Sequence, residues 1–188
     1  MMKIQTLLMT AALACSMPMA AQTPQEDFKR DITLSASNYV AYRGPQKALT
    51  PAPKGYKPFY LSHYGRHGSR YMIGAAAYDV PYFTLLKAKQ EGKLTAKGEE
   101  TLQKVKLIRE DAKGREGELT PLGALQHQGI TQRMMERFPD IFAGKTNIEA
   151  RSTVVIRCIL SMENGLQAML RKNPQLHIFH DASNHVSL

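Results

Sequence analysis

The chain has 188 residues, with 25 lysines and arginines against 16 aspartates and glutamates, a formal net charge of +9. This length is typical of one domain. The basic residues are scattered, without an arginine run or a basic stripe interleaved with aromatic side chains, which argues against a nucleic-acid partner. The remaining polyanions that suit a basic chain include anionic membranes and phosphorylated small molecules.

Residues 1–21 have the pattern of a secretory signal peptide. Lys3 precedes a short apolar run, and small residues follow up to Ala21. The run is too short to span a bilayer, and no later segment is apolar enough for a transmembrane helix. Cleavage after Ala21 leaves a net charge of +8 and one cysteine, Cys158, so no intrachain disulfide can form.

The alternative is a lipoprotein signal in which Cys15 carries the lipid. Ala12 stands three residues before it, where such signals usually have leucine, so simple cleavage is favoured. Both interpretations predict export, to the periplasm or to the medium, with lipid anchoring through Cys15 as the alternative.

Residues 22–57 are polar and rich in proline, and they predict an N-terminal arm with little regular structure. The run "KPFYLSHYG" that follows is typical of a short buried strand ending at Gly65. Three helices are then predicted. The first ends near Gly92, the second runs from a cap at Thr95 to Gly114, and the third runs from a cap at Thr120 to before Pro139.

The second half of the chain alternates between short strands and a long helix. "TNIEARS" and "QLHIFHD" are predicted strands, and the helix between them begins near Ser152. Apolar stripes are expected on two helices, Leu102, Val105, Ile108 and Ala112 on one, and Val155, Ile159, Met162, Leu166 and Met169 on the other. The order of elements predicts an α/β fold with a mostly parallel sheet. Sites in such sheets form at the carboxyl ends of strands, where "GRHGSR" and "ARSTVVIR" stand.

The segment "GRHGSR" combines an imidazole with two guanidinium groups. Arg66 and Arg70 flank His67, which disfavours a metal cation and favours an oxyanion, because arginine binds phosphate or carboxylate oxygens bidentately. Gly65 and Gly68 are expected to let backbone N–H groups approach that anion. An imidazole in such a site can act as base, acid or nucleophile.

A third arginine is expected to reach the same site. Arg157 lies off the apolar stripe of its helix, and helical side chains lean toward the helix N-terminus, so it could reach back over the strand ends. Arg151, on the preceding strand, is the competing candidate and is interpreted as a supporting residue.

Three motifs carry a resemblance to a known family. "RHGSR", "LTPLGALQH" and "RSTVVIRCILS", in that order, resemble the histidine acid phosphatases, and "YGRHGSRY" with its long spacing to "ARSTVVIR" is most similar to the bacterial multiple inositol-polyphosphate phosphatases. The resemblance covers roughly residues 60–170. It implies a three-layer α/β sandwich and a hydrolase acting on phosphomonoesters through a phosphohistidine, with inositol polyphosphates such as phytate as substrates and no metal or other cofactor.

The resemblance also assigns roles to residues. His67 would be the nucleophile, and Arg66, Arg70 and Arg157 would bind the substrate's phosphoryl oxygens through the transition state. His127 matches a supporting position. A second arginine after Arg-His-Gly, here Arg70, is a feature of the phosphatase branch of the superfamily and not of the mutases.

Two departures from the family are visible. Val154 stands where the family often has an acidic residue. Family members are also longer and supply a proton donor in a later His-Ala-Glu or His-Asp, whereas this sequence has no His-Ala-Glu, and its one His-Asp, His180–Asp181, comes too early. Residues 58–188 are therefore expected to form the N-terminal half of a phosphatase domain that is weakly active or inactive alone; the alternative is a truncated module that only binds phosphate.

Two alternative metal sites are suggested by the histidine spacing. His63 and His67 have the spacing of a helical zinc site, but Gly65 and Arg66 stand between them. A second cluster, His177, His180, Asp181 and His185, is interpreted as polar residues at a strand end.

Overall fold

The structure is a computed structural model that describes residues 23–42, 44–45 and 47–184. The chain divides into two compact units, the first ending at Ala41 and the second starting at Tyr42. The predicted signal peptide, with Cys15, lies outside the described residues, and so does His185.

The first unit is more regular than the sequence predicts. It contains helix α1, Pro24–Arg30, and a 3-10 helix, Ile32–Tyr39. The Glu26 carboxylate accepts a hydrogen bond from the Thr23 N–H at 3.2 Å, and Asp31 accepts one from the Thr33 N–H at 3.0 Å. The expectation of little regular structure was wrong for residues 24–39, because side chains at the starts of these helices satisfy backbone groups that would otherwise need water. Residues 47–57 contain no helix or strand, as expected.

The second unit contains four α-helices and a parallel sheet among its described residues. The helices are α2, Ala76–Gln90; α3, Ala96–Ala112; α4, Pro121–Arg137, which is followed by a 3-10 turn at Pro139–Phe142; and α5, Ile156–Lys172. Thr95 and Thr120 cap α3 and α4 as predicted, since their hydroxyl oxygens accept from the N–H groups of Gly98 and Gly123.

The sheet consists of β1, Asn147–Ser152, and β2, His177–Ala182, paired in parallel from Asn147–His177 to Ser152–Ala182. The prediction of an α/β fold with a parallel sheet is confirmed. Helix α5 begins four residues later than predicted, because Ser152 still belongs to the ladder of β1.

The predicted strand over "KPFYLSHYG" does not form. Within the described residues the sheet contains β1 and β2 alone, and residues 57–65 run without regular structure. Phe59 is 94% exposed and Tyr64 fully exposed, while Leu61 packs against the core. An apolar run becomes a strand only where a neighbouring strand offers hydrogen-bond partners, and no ladder reaches this segment.

The core lies where α4 and α5 meet the sheet. Its buried side chains are Met135, Phe142, Leu166, Met169 and Leu176. The predicted stripe of α5 is therefore correct in its second half, but Val155 is exposed, and so is Ile108 on α3. Helical periodicity predicts which residues share a face and not whether another element covers that face.

None of the helices in the described ranges has the length and apolar character needed to cross a bilayer.

Candidate active site

The loop Arg66–Arg70 lies between α4 and α5 and is held by a side chain from each helix. The N–H of Gly68 donates to Oγ of Ser161 on α5 at 3.0 Å. The N–H of Ser69 donates to Oε1 of Gln126 on α4 at 2.8 Å. These two amides are consecutive in the backbone, so the loop is attached to α4 and α5 at neighbouring positions.

Two glycines allow the loop to cross the start of α4 in backbone contact. A Cβ on Gly68 would overlap the carbonyl oxygen of Gly123 and lie 2.6 Å from its Cα. A Cβ on Gly123 would overlap the carbonyl oxygen of Ser69 and lie 2.8 Å from its nitrogen. The Thr120 hydroxyl also donates to the Ser69 carbonyl at 2.9 Å, so the N-cap of α4 binds the same loop.

These contacts correct the expected role of Gly68. The N–H of Gly68 is already bonded to Ser161, so it does not serve an anion, and Gly68 is required by the crossing with Gly123. At Gly65 an added Cβ would meet the ring of His63, which is the end of a movable side chain. The amides of Gly68 and Ser69 are therefore not available to an anion at this loop.

His67 is half-buried, and its Nδ1 lies 2.8 Å from the carbonyl oxygen of Gly68. A carbonyl oxygen can only accept, so Nδ1 carries the hydrogen and donates it. In the neutral ring this leaves the lone pair on Nε2, the nitrogen that a nucleophilic histidine needs.

Arg70 and Arg157 approach two neighbouring segments of backbone. Arg70 forms an antiparallel bridge with Leu119, and its Nη1 donates to the Tyr71 carbonyl at 2.8 Å.

Arg157 lies on the first turn of α5. Its Nη1 donates to the Gly117 carbonyl at 3.4 Å, and the N–H of Gly117 donates to the Met72 carbonyl at 2.9 Å. The structure therefore brings Arg157 against the segment that pairs with the residues following Arg70.

Three donors around the loop are buried without a protein acceptor among the described residues, namely Nε of Arg70, Nε of Arg157 and Nε2 of Gln126. Buried donors in native proteins are nearly always paired. An oxyanion is the kind of group that guanidinium donors satisfy best.

Arg66 and Arg151 are exposed, in contrast to the two half-buried arginines. The backbone carbonyl of Arg66 accepts from His127, while Arg151 stands on β1 opposite Asp181.

Solved structures of a Bifidobacterium longum multiple inositol polyphosphate phosphatase share this architecture. The complex with phosphate is 27% identical with a TM-score of 0.57, the apo form 26% with 0.57, and the complex with inositol hexasulfate 25% with 0.54. The chain is similar in structure to a bacterial phosphatase. Each match covers 72% of this chain and 29% of that protein, so the chain spans less than a third of the length of these relatives. No family profile and no curated protein sequence matches the chain.

His127 supports the loop from α4. Its Nε2 lies 3.0 Å from the Arg66 carbonyl oxygen, so it donates a hydrogen there. Burial, the largest cause, lowers the pKa of His127 below its ordinary value of 6.5; the bond to Arg66 opposes this, and His63 and His67 lower the pKa further. His127 is thus held neutral to a lower pH than a free histidine would be.

This lowered pKa predicts a pH-dependent stability. Because the unfolded chain takes up a proton near pH 6.5 and the folded chain resists it, the free energy of unfolding should fall as the pH drops below about 7. Urea denaturation at several pH values measures this. In His127→Gln, which keeps a donor for Arg66, the dependence should be weaker. Equal pH profiles for wild type and His127→Gln would contradict the prediction.

A separate groove of about 390 Å³ lies along the extended segment and the end of α4, lined by Pro58, Tyr60, Leu61, Ser62, His63, Met134, Phe138 and Ile141. Neither His67 nor any of the arginines lines it. It is largely apolar and does not suit an anion.

In the described part of the chain, no group of three or more His, Cys, Asp or Glu side chains could hold a metal ion. Nδ1 of His180 pairs with Glu163 on α5 at 2.6 Å, which ties β2 to that helix. Cys158 is a half-buried free thiol on α5.

The sequence interpretation missed Gln126 and Ser161. They are separated from their loop partners by 57 and 93 positions, so no local pattern reports the bonds. Both lie inside the quoted motifs, Gln126 beside His127 and Ser161 one helical turn after Arg157, and this proximity was the available signal.

Proposed function

We propose that this chain is the nucleophile-bearing part of a phosphomonoester hydrolase, with His67 as nucleophile and Arg66, Arg70 and Arg157 as the phosphate clamp. Two observations carry the proposal. The Gly68 bond leaves Nε2 of His67 free, and the Nε donors of Arg70 and Arg157 are buried without an acceptor in the part of the chain that the structure describes. The similarity to a phosphatase supports the reaction class.

The reaction proceeds in two displacements. The lone pair of His67 Nε2 attacks phosphorus, the ester P–O bond breaks, and the alcohol oxygen leaves with the bonding electrons and takes up a proton. Water then attacks the phosphohistidine, the P–N bond breaks, and inorganic phosphate leaves with His67 restored. The clamp stabilises the phosphoryl oxygens in both transition states without a metal.

Protonation of the leaving alcohol is expected to limit the rate of hydrolysis by this chain. This sequence holds no His-Ala-Glu, and its His180 is bound to Glu163. General acid catalysis typically contributes a factor of about 10² to 10⁴. The chain by itself should therefore hydrolyse alkyl phosphates at least about a hundredfold more slowly than aryl phosphates, whose phenolate leaves without protonation.

Inositol polyphosphates such as phytate are the proposed substrates. The relatives are named as phosphatases of this class, and one was solved with inositol hexasulfate. A net charge of +9 favours a polyanionic small molecule. Export to the periplasm or the medium is part of the proposal and rests on residues 1–21.

The proposal is tested by trapping the intermediate. The full chain is mixed with a ³²P-labelled aryl phosphate, denatured in alkali, in which phosphohistidine survives, and digested. Label in the peptide that contains His67, released by mild acid, is the expected result. Label elsewhere, or none at all, would overturn the proposed nucleophile.

The second candidate is a module that binds phosphate without chemistry, favoured by the buried Nε donors of Arg70 and Arg157, which suit a bound anion whether or not His67 reacts. It predicts saturable binding of inorganic phosphate together with no trapped label. The same trapping experiment therefore separates the two functions.

A further inference from the structure

We propose that Ser161 is a positioning residue that couples the two parts of the phosphate clamp, the loop Arg66–Arg70 and the first turn of α5. This inference rests on the proposed function. Ser161 does not approach the phosphoryl group itself in this scheme, and its effect passes through the backbone of Gly68 and Arg157.

The hydroxyl of Ser161 is used twice. Its oxygen accepts from the Gly68 N–H at 3.0 Å, and its hydrogen is donated to the carbonyl of Arg157 at 2.7 Å. Ser161 is 2% exposed as a residue, so water does not readily replace either bond. One atom therefore sets the distance between the residue after His67 and the residue that carries the third arginine.

A bond from a helical serine to the carbonyl four residues earlier is common and needs no functional reason. The second bond is different, because it reaches across 93 positions to an amide in the candidate site. If Ser161 only completed its own helix, its loss would leave the loop unaffected.

Gln126 limits how far the loop Arg66–Arg70 can move when the Ser161 bond is lost. It holds the next amide, Ser69, from α4, and α4 is itself bound to α5 through Gln128 Nε2 and Asn164 Oδ1 at 2.9 Å. Without Ser161 the loop would still be fixed to α4 but would no longer be fixed to α5. Removing the Ser161 hydroxyl is thus expected to change the position of Arg157 relative to His67 and Arg70, while the loop keeps its structure.

The test measures binding of inorganic phosphate to the full chain by calorimetry. Ser161→Ala should weaken binding by roughly tenfold or more, since it leaves a buried amide unpaired and frees the clamp to separate. Ser161→Thr, which retains the hydroxyl, should recover most of the affinity. The matched control is Thr131→Ala, which removes another hydroxyl, 3% exposed, from between α4 and α5 near Gly165.

A purely structural role predicts that Ser161→Ala and Thr131→Ala weaken binding equally, and that result would overturn the inference. A second measurement, hydrogen exchange at the Gly68 amide, tests the link without phosphate: exchange should accelerate in Ser161→Ala and not in Thr131→Ala. Unchanged exchange would also overturn the inference. Failure of the wild type to bind phosphate while Gly68 exchange responds as expected would instead refute the proposed function and leave the link itself established.

Discussion

Replacing His67 with alanine is expected to abolish phosphoenzyme formation and to lower aryl phosphate hydrolysis by roughly 10³-fold or more, the range seen when a covalent nucleophile is removed. The physical reason is that the bond from Nδ1 to the Gly68 carbonyl holds the ring with Nε2 free, and alanine has no nucleophile to offer. Single-turnover kinetics with labelled aryl phosphate measure both quantities.

The control for this variant is His177→Ala. His177 is exposed on β2, where its backbone pairs with Asn147 and its side chain has no part in the loop. It should retain wild-type labelling. If His67→Ala remained labelled, or if both variants lost the label together, His67 would not be the nucleophile.

Replacing Gly68 with alanine should lower the free energy of unfolding by about 2–3 kcal/mol and remove phosphate binding. The added Cβ would overlap the backbone of Gly123, which cannot rotate away as a side chain can. Urea denaturation measures the loss, which is a large part of the 5–15 kcal/mol that stabilises an ordinary domain.

Gly74→Ala provides the matched control for this change. Gly74 follows the same loop, but a Cβ added there meets no heavy atom within 4 Å. We expect its stability to stay within about 0.5 kcal/mol of the wild type. Similar losses in both variants would show that the crossing with Gly123 is not what requires a glycine at position 68.

Helices α3 and α4 were predictable because their signals are local. Thr95 and Thr120 cap α3 and α4 through hydroxyls three residues from the amides they bind, and the sequence displays that spacing directly. The strand expected over 57–65 failed for the opposite reason. A strand forms only beside another strand that pairs with it, and an apolar run does not show whether such a strand lies next to it in the fold.

The sequence predicted which residues would form the candidate site, but it did not predict their hydrogen-bond partners. The combination of His67 with Arg70 indicates an anion from its chemistry alone, and helix geometry indicated the direction of Arg157. The sequence could not show that the backbone amides of the loop are already hydrogen-bonded, because Ser161 and Gln126 contact the loop only in the tertiary fold. The roles of His67 and the clamp stay predictions until the labelling is done.

The backbone crossing of Gly68 and Gly123 has a mechanical consequence. Sliding α4 by one residue would move it 1.5 Å along its axis, more than a contact between two main chains can absorb. The loop and the first turn of α4 must therefore move as one rigid piece. A displacement of the first turn of α4 is therefore expected to carry the backbone of Gly68 and Ser69 with it.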